Sequence, residues 1–184
     1  MSMQRNTLDG IIIIDAEEFK DNRGSFSENF NLKKFKKISK RRNINFVQDN
    51  LSISKKGVFR GLHFQYKYPQ AKLVSVLSGE IVDVVVDLRE FSKTFGDWAA
   101  LKISSKNKQQ IFIPEGFAHG FLSLTNDTKV MYKVSEYWQP RDEYTIRFDD
   151  KDLNLKLPFQ PTYISAKDKK GLSFYDVPKF KSKK

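Results

Sequence analysis

The chain has 184 residues, 39% of them hydrophobic and 14% aromatic, which excludes a disordered polymer and allows a core without staples. It has no cysteine, so disulfide scaffolding, thiol catalysis and thiolate metal sites are excluded. Lysine and arginine outnumber aspartate and glutamate by 33 to 22, giving a formal net charge of +11 that favours an anionic partner. Zinc-finger spacing, aromatic RNA-binding signatures and basic helices with heptads are all missing. The lysine clusters around 33–37, 55–56, 167–170 and 179–184 therefore read as solvated surface around a small anionic substrate, not as a nucleic-acid footprint. The longest early apolar run, Ile11 to Ile14, is too short for a membrane span and lacks the cleavage site of a signal peptide. A cytoplasmic location without membrane association is the expectation.

Asn31 is placed to cap a short helix over 32–38, where Leu32, Phe35 and Ile38 recur at a spacing of three. Strands follow over 46–53, 72–77, 80–88, 110–113, 119–124 and 129–137, short runs rich in Val, Ile, Phe and Tyr divided by turn residues. Ser78-Gly79 lies between two of these runs and predicts a two-residue hairpin. In the run after it, Val82, Val84, Val86 and Leu88 share one face, while Ile81, Asp83, Val85 and Asp87 share the other. One face is wholly apolar and the other mixed, so the two sides of that strand meet different surroundings. A second short helix is expected near 165–171, with Ser165 as its cap and Asp168 in its first turn. The segment after Pro158 reads as an arm closing on the strands, and residues 179–184 as a frayed, solvated tail. There is no strand–helix alternation, Gly-rich phosphate loop or internal repeat, which argues for an antiparallel sandwich or barrel. No domain boundary is visible. The expectation is one domain over 1–184, with a barrel core at about 45–140 and a C-terminal arm at about 159–184.

Two histidines, His63 and His119, sit among aromatics and glycines. Histidine is the side chain whose ordinary pKa best suits proton transfer near neutrality, but a satisfied core histidine is the bland alternative for each. Two histidines 56 residues apart, without a His-x-His pair, make a poor metal kit, although two histidines and one carboxylate would suffice for some metals. No Gly-x-Ser-x-Gly elbow supports serine hydrolysis, and Asp149-Asp150 reads as a turn.

Several stretches, in order, carry a resemblance. They are Val47-Gln48-Asp49-Asn50-Leu51-Ser52, Gly57-Val58-Phe59-Arg60-Gly61-Leu62-His63-Phe64-Gln65, Gln70-Ala71-Lys72-Leu73-Val74, Gly79 to Arg89, and Ile113-Pro114-Glu115-Gly116-Phe117-Ala118-His119-Gly120-Phe121. Tyr132-Lys133, Asp149-Asp150 and Leu157-Pro158 continue it, so that the match runs over roughly residues 9 to 170. Together these resemble the dTDP-4-dehydrorhamnose 3,5-epimerases.

The resemblance implies an all-β antiparallel jelly-roll (cupin) barrel with a few short helices, a homodimer, and no cofactor or metal. The implied substrate is a nucleoside-diphosphate 4-keto-6-deoxysugar whose C3 and/or C5 is inverted through an enolate, for surface polysaccharide. His63 then aligns with the general base, Asp168 with the carboxylate that orients it, Tyr132 with the opposite-face acid and Lys72 with the cation at the C4 oxygen. Arg23, Phe26, Glu28, Gln48, Asn50, Arg60, His119, Glu143 and Lys167 fall at substrate-contacting positions.

The chain departs from the family pattern at Ala71 (usually glycine), Ser75 (commonly arginine), Trp138 (commonly tyrosine), Phe148 (usually tryptophan) and the tail after Asp168. In an ideal strand Arg60 points away from the face carrying His63, so both reach one substrate only with a bulge or twist near Gly61, unless Arg60 serves a partner's pocket. Rival readings are a C3-only epimerase, an epimerase of a GDP-linked 4-keto sugar or heptose, and a 3,4-ketoisomerase. A non-catalytic sugar-nucleotide-binding barrel and an RNA-binding barrel come from other classes.

Overall fold

The computed structural model describes residues 2–5 and 8–182, with side chains from residue 8 onward. Two sheets face each other. The first contains, in spatial order, β1 (Ser2–Arg5), β2 (Ile12–Asp15), β10 (Gln109–Ile113), β7 (Lys72–Ser78), β12 (Thr128–Val134) and β5 (Gln48–Ser54). The second runs β13 (Glu143–Thr145), β6 (Val58–Gln65), β11 (Phe117–Ser123), β8 (Glu80–Asp87) and β9 (Trp98–Ser104). All these pairings are antiparallel; β14 (Tyr163–Ile164) alone adds in parallel, to β6. A small hairpin, β3 (Glu18–Asp21) with β4 (Gly24–Ser27), stands apart from both sheets. The architecture is the expected jelly roll, and solved structures of the same fold are described below.

The period of two in each strand builds three apolar layers. Val74, Val76, Ile111, Ile113 and Val130 of the first sheet meet Ile81, Val85, Phe117 and Phe121 of the second in the barrel interior. On the outside of the first sheet, Leu73 and Phe112 pack against Phe35 and Ile44. Phe35 comes from α1 (Leu32–Ser39), whose first turn is closed by the Asn31 side chain accepting from the Lys34 N–H at 3.1 Å, as the sequence suggests. On the outside of the second sheet, Leu62, Val84, Val86, Leu88 and Leu122 are covered by Ile146, Leu153, Phe174 and Val177 of the C-terminal region. The wholly apolar face of β8 is thus the outer one, under the arm. The mixed face looks inward and carries Asp83 into the barrel.

Two expectations are corrected. Ser78-Gly79 is not a hairpin turn: β7 pairs with β10 and β12, and β8 with β11 and β9, so this glycine carries the chain from one sheet to the other. Val76 and Ile81, on either side of it, both enter the interior, which draws the two strands to opposite walls of one core. Gly79 does adopt φ +82°, and a Cβ there would stand 2.4 Å from Thr125 Oγ1. The positive φ was legible, but not the crossing it serves. Nor is the tail frayed throughout. The Phe180 N–H donates to Leu88 O and its carbonyl accepts from the Glu90 N–H, both at 2.9 Å, while its ring packs on Phe64 and Tyr66. Lys183 and Lys184 lie outside the described residues.

Candidate active site

A cleft of about 830 Å³ opens between the two sheets at one end of the barrel. β6 brings His63 and Arg60 to it, β11 His119, β13 Glu143, β7 Lys72, β12 Tyr132, β5 Gln48 and Asn50, and the arm Lys167 and Asp168. Ten of the residues singled out in the sequence therefore converge on one cavity.

Arg60 joins His63 because β6 is bulged. His119 lies opposite His63 and Phe121 opposite Arg60, so three steps on β6 match two on β11. The extra residue turns Arg60 onto the face of His63, as the sequence required for a common substrate. Gly61 absorbs the distortion at φ +120°. A Cβ on Gly61 would lie 2.5 Å from the Gly120 Cα, and one on Gly120 2.6 Å from the Arg60 carbonyl oxygen, so the crossing is open to glycine alone. Arg60 is steadied by Nε donating to Ser54 Oγ at 3.1 Å.

The arm supplies the partner of His63. Tyr163 and Ile164 align beside Val58 and Phe59, and the chain then enters α2 (Ala166–Lys169), where Ser165 Oγ accepts from the Asp168 N–H at 3.0 Å. This sets the buried Asp168 with Oδ1 2.6 Å from His63 Nε2 and Oδ2 accepting the Gly61 N–H at 3.3 Å. Burial by itself would raise the pKa of Asp168. The hydrogen bonds from His63, Gly61 and Ser165 outweigh it and hold the carboxyl below its ordinary value. An ionised carboxylate at Nε2 keeps the ring proton there and leaves the Nδ1 lone pair as the basic site.

Lys72 rises from the opposite sheet. It is buried, and Nζ donates to the His63 carbonyl at 3.2 Å. Burial pushes its pKa down to about 8, while Glu143 and Asp83 draw it partly back. Tyr132 shares that sheet. Burial and the charge of Glu143 raise its pKa, Arg60 opposing, so the ring stays a phenol with a proton to give. His119 Nε2 is 2.7 Å from Asp83 Oδ2, and burial lowers its pKa against the pull of Asp83, which favours a neutral imidazole. Glu143 is ion-paired with Lys167. Gln48 donates from Nε2 to Asn50 Oδ1 at 2.8 Å and accepts from the Trp138 N–H at 3.2 Å. Among the described residues no three His, Asp or Glu side chains are grouped to hold a metal ion.

Arg23, Phe26 and Glu28 are not brought to this cleft. They lie on the β3–β4 hairpin and just after it, with Arg23 paired to Asp21, Phe26 exposed, and Glu28 bound to Lys34 Nζ at 2.7 Å. The reason is local: β3 and β4 form a separate two-stranded sheet, tied to Lys108 beside β10 through Glu18 and not to the strands that line the cleft. Conversely, the sequence did not single out Asp83 for the site. Its signal was a carboxylate at an inward position between Ile81 and Val85.

Residues 5–176 match the family described as dTDP-4-dehydrorhamnose 3,5-epimerase. The epimerase of that name from Methanothermobacter thermautotrophicus is 46% identical over 168 residues, 90% of each chain. That from Shigella flexneri is 41% identical over 181 residues, covering 98% of this chain and 99% of its own. The crystal structure of dTDP-6-deoxy-D-glucose-3,5-epimerase from Legionella pneumophila, in complex with dTDP-4-keto-L-rhamnose, superposes with a TM-score of 0.95 at 37% identity, covering 100% of this chain and 99% of that one. The arrangement of the cleft and these likenesses have one conclusion: the chain belongs to the dTDP-4-dehydrorhamnose 3,5-epimerase family.

Proposed function

We propose that the chain inverts C3 and C5 of a dTDP-linked 4-keto-6-deoxysugar without a cofactor, with His63 as base, Tyr132 as acid and Lys72 as the cation at the C4 oxygen. One observation carries this reading: His63 and Tyr132 belong to different sheets and enter one cleft from its two walls. A flat enolate held between them meets a base on one face and a phenol on the other, which is what inversion requires.

The C–H proton beside the ketone passes to His63 Nδ1, and its electron pair moves through the new C=C bond onto the C4 oxygen. The Lys72 ammonium meets that oxygen as its charge grows, favouring the transition state over the ketone. The Tyr132 hydroxyl then delivers a proton to the opposite face, and the phenolate and imidazolium return to their starting forms through solvent. Asp168 holds the ring and compensates the imidazolium. Arg60, with its fork of donors, suits the diphosphate.

We also read the protein as a homodimer working in the cytoplasm, as one folded unit. Arg23 and Phe26 are exposed on the β3–β4 hairpin and Glu28 follows it, outside this chain's own cleft, where another subunit's cleft could use them. β5 is a sheet edge carrying exposed Leu51 and Ile53, which a second copy would cover.

Incubation with dTDP-4-keto-6-deoxyglucose in heavy water, followed by mass spectrometry of the sugar, tests the reading. Two deuterons gained support it, one restricts the reaction to a single carbon, and none removes this substrate. His63→Ala should abolish exchange at both carbons, and retention of wild-type exchange would assign the base elsewhere. Tyr132→Phe should slow turnover while leaving some exchange.

A further inference from the structure

Asp83 is wholly buried on the inward face of β8, and its two oxygens are used unequally. Oδ2 meets His119 Nε2 at 2.7 Å, whereas Oδ1 is buried with no hydrogen-bond partner. A carboxylate in that position is costly unless opposite charge stands near. His119 does not provide it, since burial disfavours the imidazolium. The nearby cation is Lys72, whose ammonium has three N–H donors and, among the described residues, one hydrogen bond, to the His63 carbonyl. The titratable groups around Lys72 are Glu143 of β13, Asp83 of β8, His119 of β11, His63 and Arg60 of β6, and Tyr132 of β12. The Asp168 carboxylate of α2 is bonded to His63, and Glu143 is committed to Lys167. Glu143 also acts on Lys72 but is itself paired, whereas Asp83 is bonded to no Lys or Arg side chain among the described residues.

We propose that Asp83 is a positioning residue for the epimerisation: one oxygen fixes His119 in the cleft wall, and its buried charge, beside that of Glu143, helps keep Lys72 in the ammonium form. The inference rests on the proposed role of Lys72 at the C4 oxygen. Without Asp83, burial would strip the proton from Lys72 at a lower pH. The enolate would then lose its counter-charge although no atom touching the sugar had changed.

The pH dependence of kcat/KM for deuterium exchange tests this. In Asp83→Asn the alkaline limb should move down by about one unit or more, the effect of deleting a neighbouring opposite charge. At pH near 8 the loss should then be roughly fivefold or greater, shrinking toward none in mild acid. A uniform loss at every pH with the limb unmoved would overturn the proposal, because a merely structural carboxylate predicts that result. Asp83→Ser deletes the same charge in a smaller side chain, and should give the same shift if Asp83→Asn does not fold. A second readout needs no turnover: the pH midpoint for acylation of the Lys72 amine by acetic anhydride, followed by peptide mass spectrometry. It should fall in either variant, and an unmoved midpoint also overturns the proposal. If the wild-type protein exchanges no protons with 4-keto sugars, the reading of its function fails, while the acylation midpoint still decides whether Asp83 governs Lys72.

Discussion

Lys72 carries its charge into a place that disfavours it. Its ordinary pKa of 10.5 falls to about 8, so the ammonium is present below that value and disappears as pH rises through it. kcat/KM for proton exchange should therefore decline above about pH 8, and a profile flat to pH 10 would show that the cation is not needed in this form. Lys72→Arg, which cannot lose its proton in this range, should remove that decline even if its geometry slows the reaction. Asp168 presents the opposite case, a carboxylate kept ionised by the groups that bind it. Asp168→Asn preserves the shape but removes both the fixed tautomer and the compensating charge. Exchange should fall roughly 10²- to 10⁴-fold with little change in KM, measured by steady-state kinetics.

At the level of elements, the site depends on one bulge and one borrowed strand. Gly61→Ala should cost at least roughly 2–3 kcal/mol and abolish activity, since the new methyl would strike the backbone of β11 at a positive φ. Chemical denaturation and the exchange assay would read both effects, and a stable, active variant would mean that the bulge is not required. The same elements separate what the sequence disclosed from what it withheld. The caps at Asn31 and Ser165 were legible because a cap is a matter of three residues. The need for a bulge was legible too, since Arg60 and His63 stand at odds in a regular strand. The turn at Gly79 was misread because a positive φ serves a hairpin and a crossing between sheets equally well, and the difference is made by strands elsewhere. His63 and Asp168 are 105 residues apart, so no local rule could join them; only the resemblance did. Asp83 escaped because burial in the interior, not spacing, gives its carboxylate a meaning.

For the whole molecule, function and stability pull against each other at Lys72. Its lowered pKa means that the folded state binds the proton less well than the unfolded chain does. Stability should therefore rise with pH between about 8 and 10.5, the sign expected of a buried lysine. In Lys72→Met that rise of stability with pH should disappear, as chemical denaturation at several pH values would show, and activity should be lost. The proposed dimer carries its own prediction. Light scattering should give twice the mass of the 21.5 kDa chain, and Phe26→Ala should raise KM more than it lowers kcat. The arm has a further consequence. The barrel walls supply most of the cleft, but the carboxylate proposed to orient the base arrives on a separate segment, laid along β6 by Tyr163 and Ile164 and anchored beyond its short helix by Phe174, Val177 and Phe180. A proteolytic nick in the connection around 154–162 would thus leave the segment seated on the barrel, held by its own core contacts and not by the chain. A nicked copy should keep turning over its substrate until mild denaturant releases the segment and the carboxylate it carries.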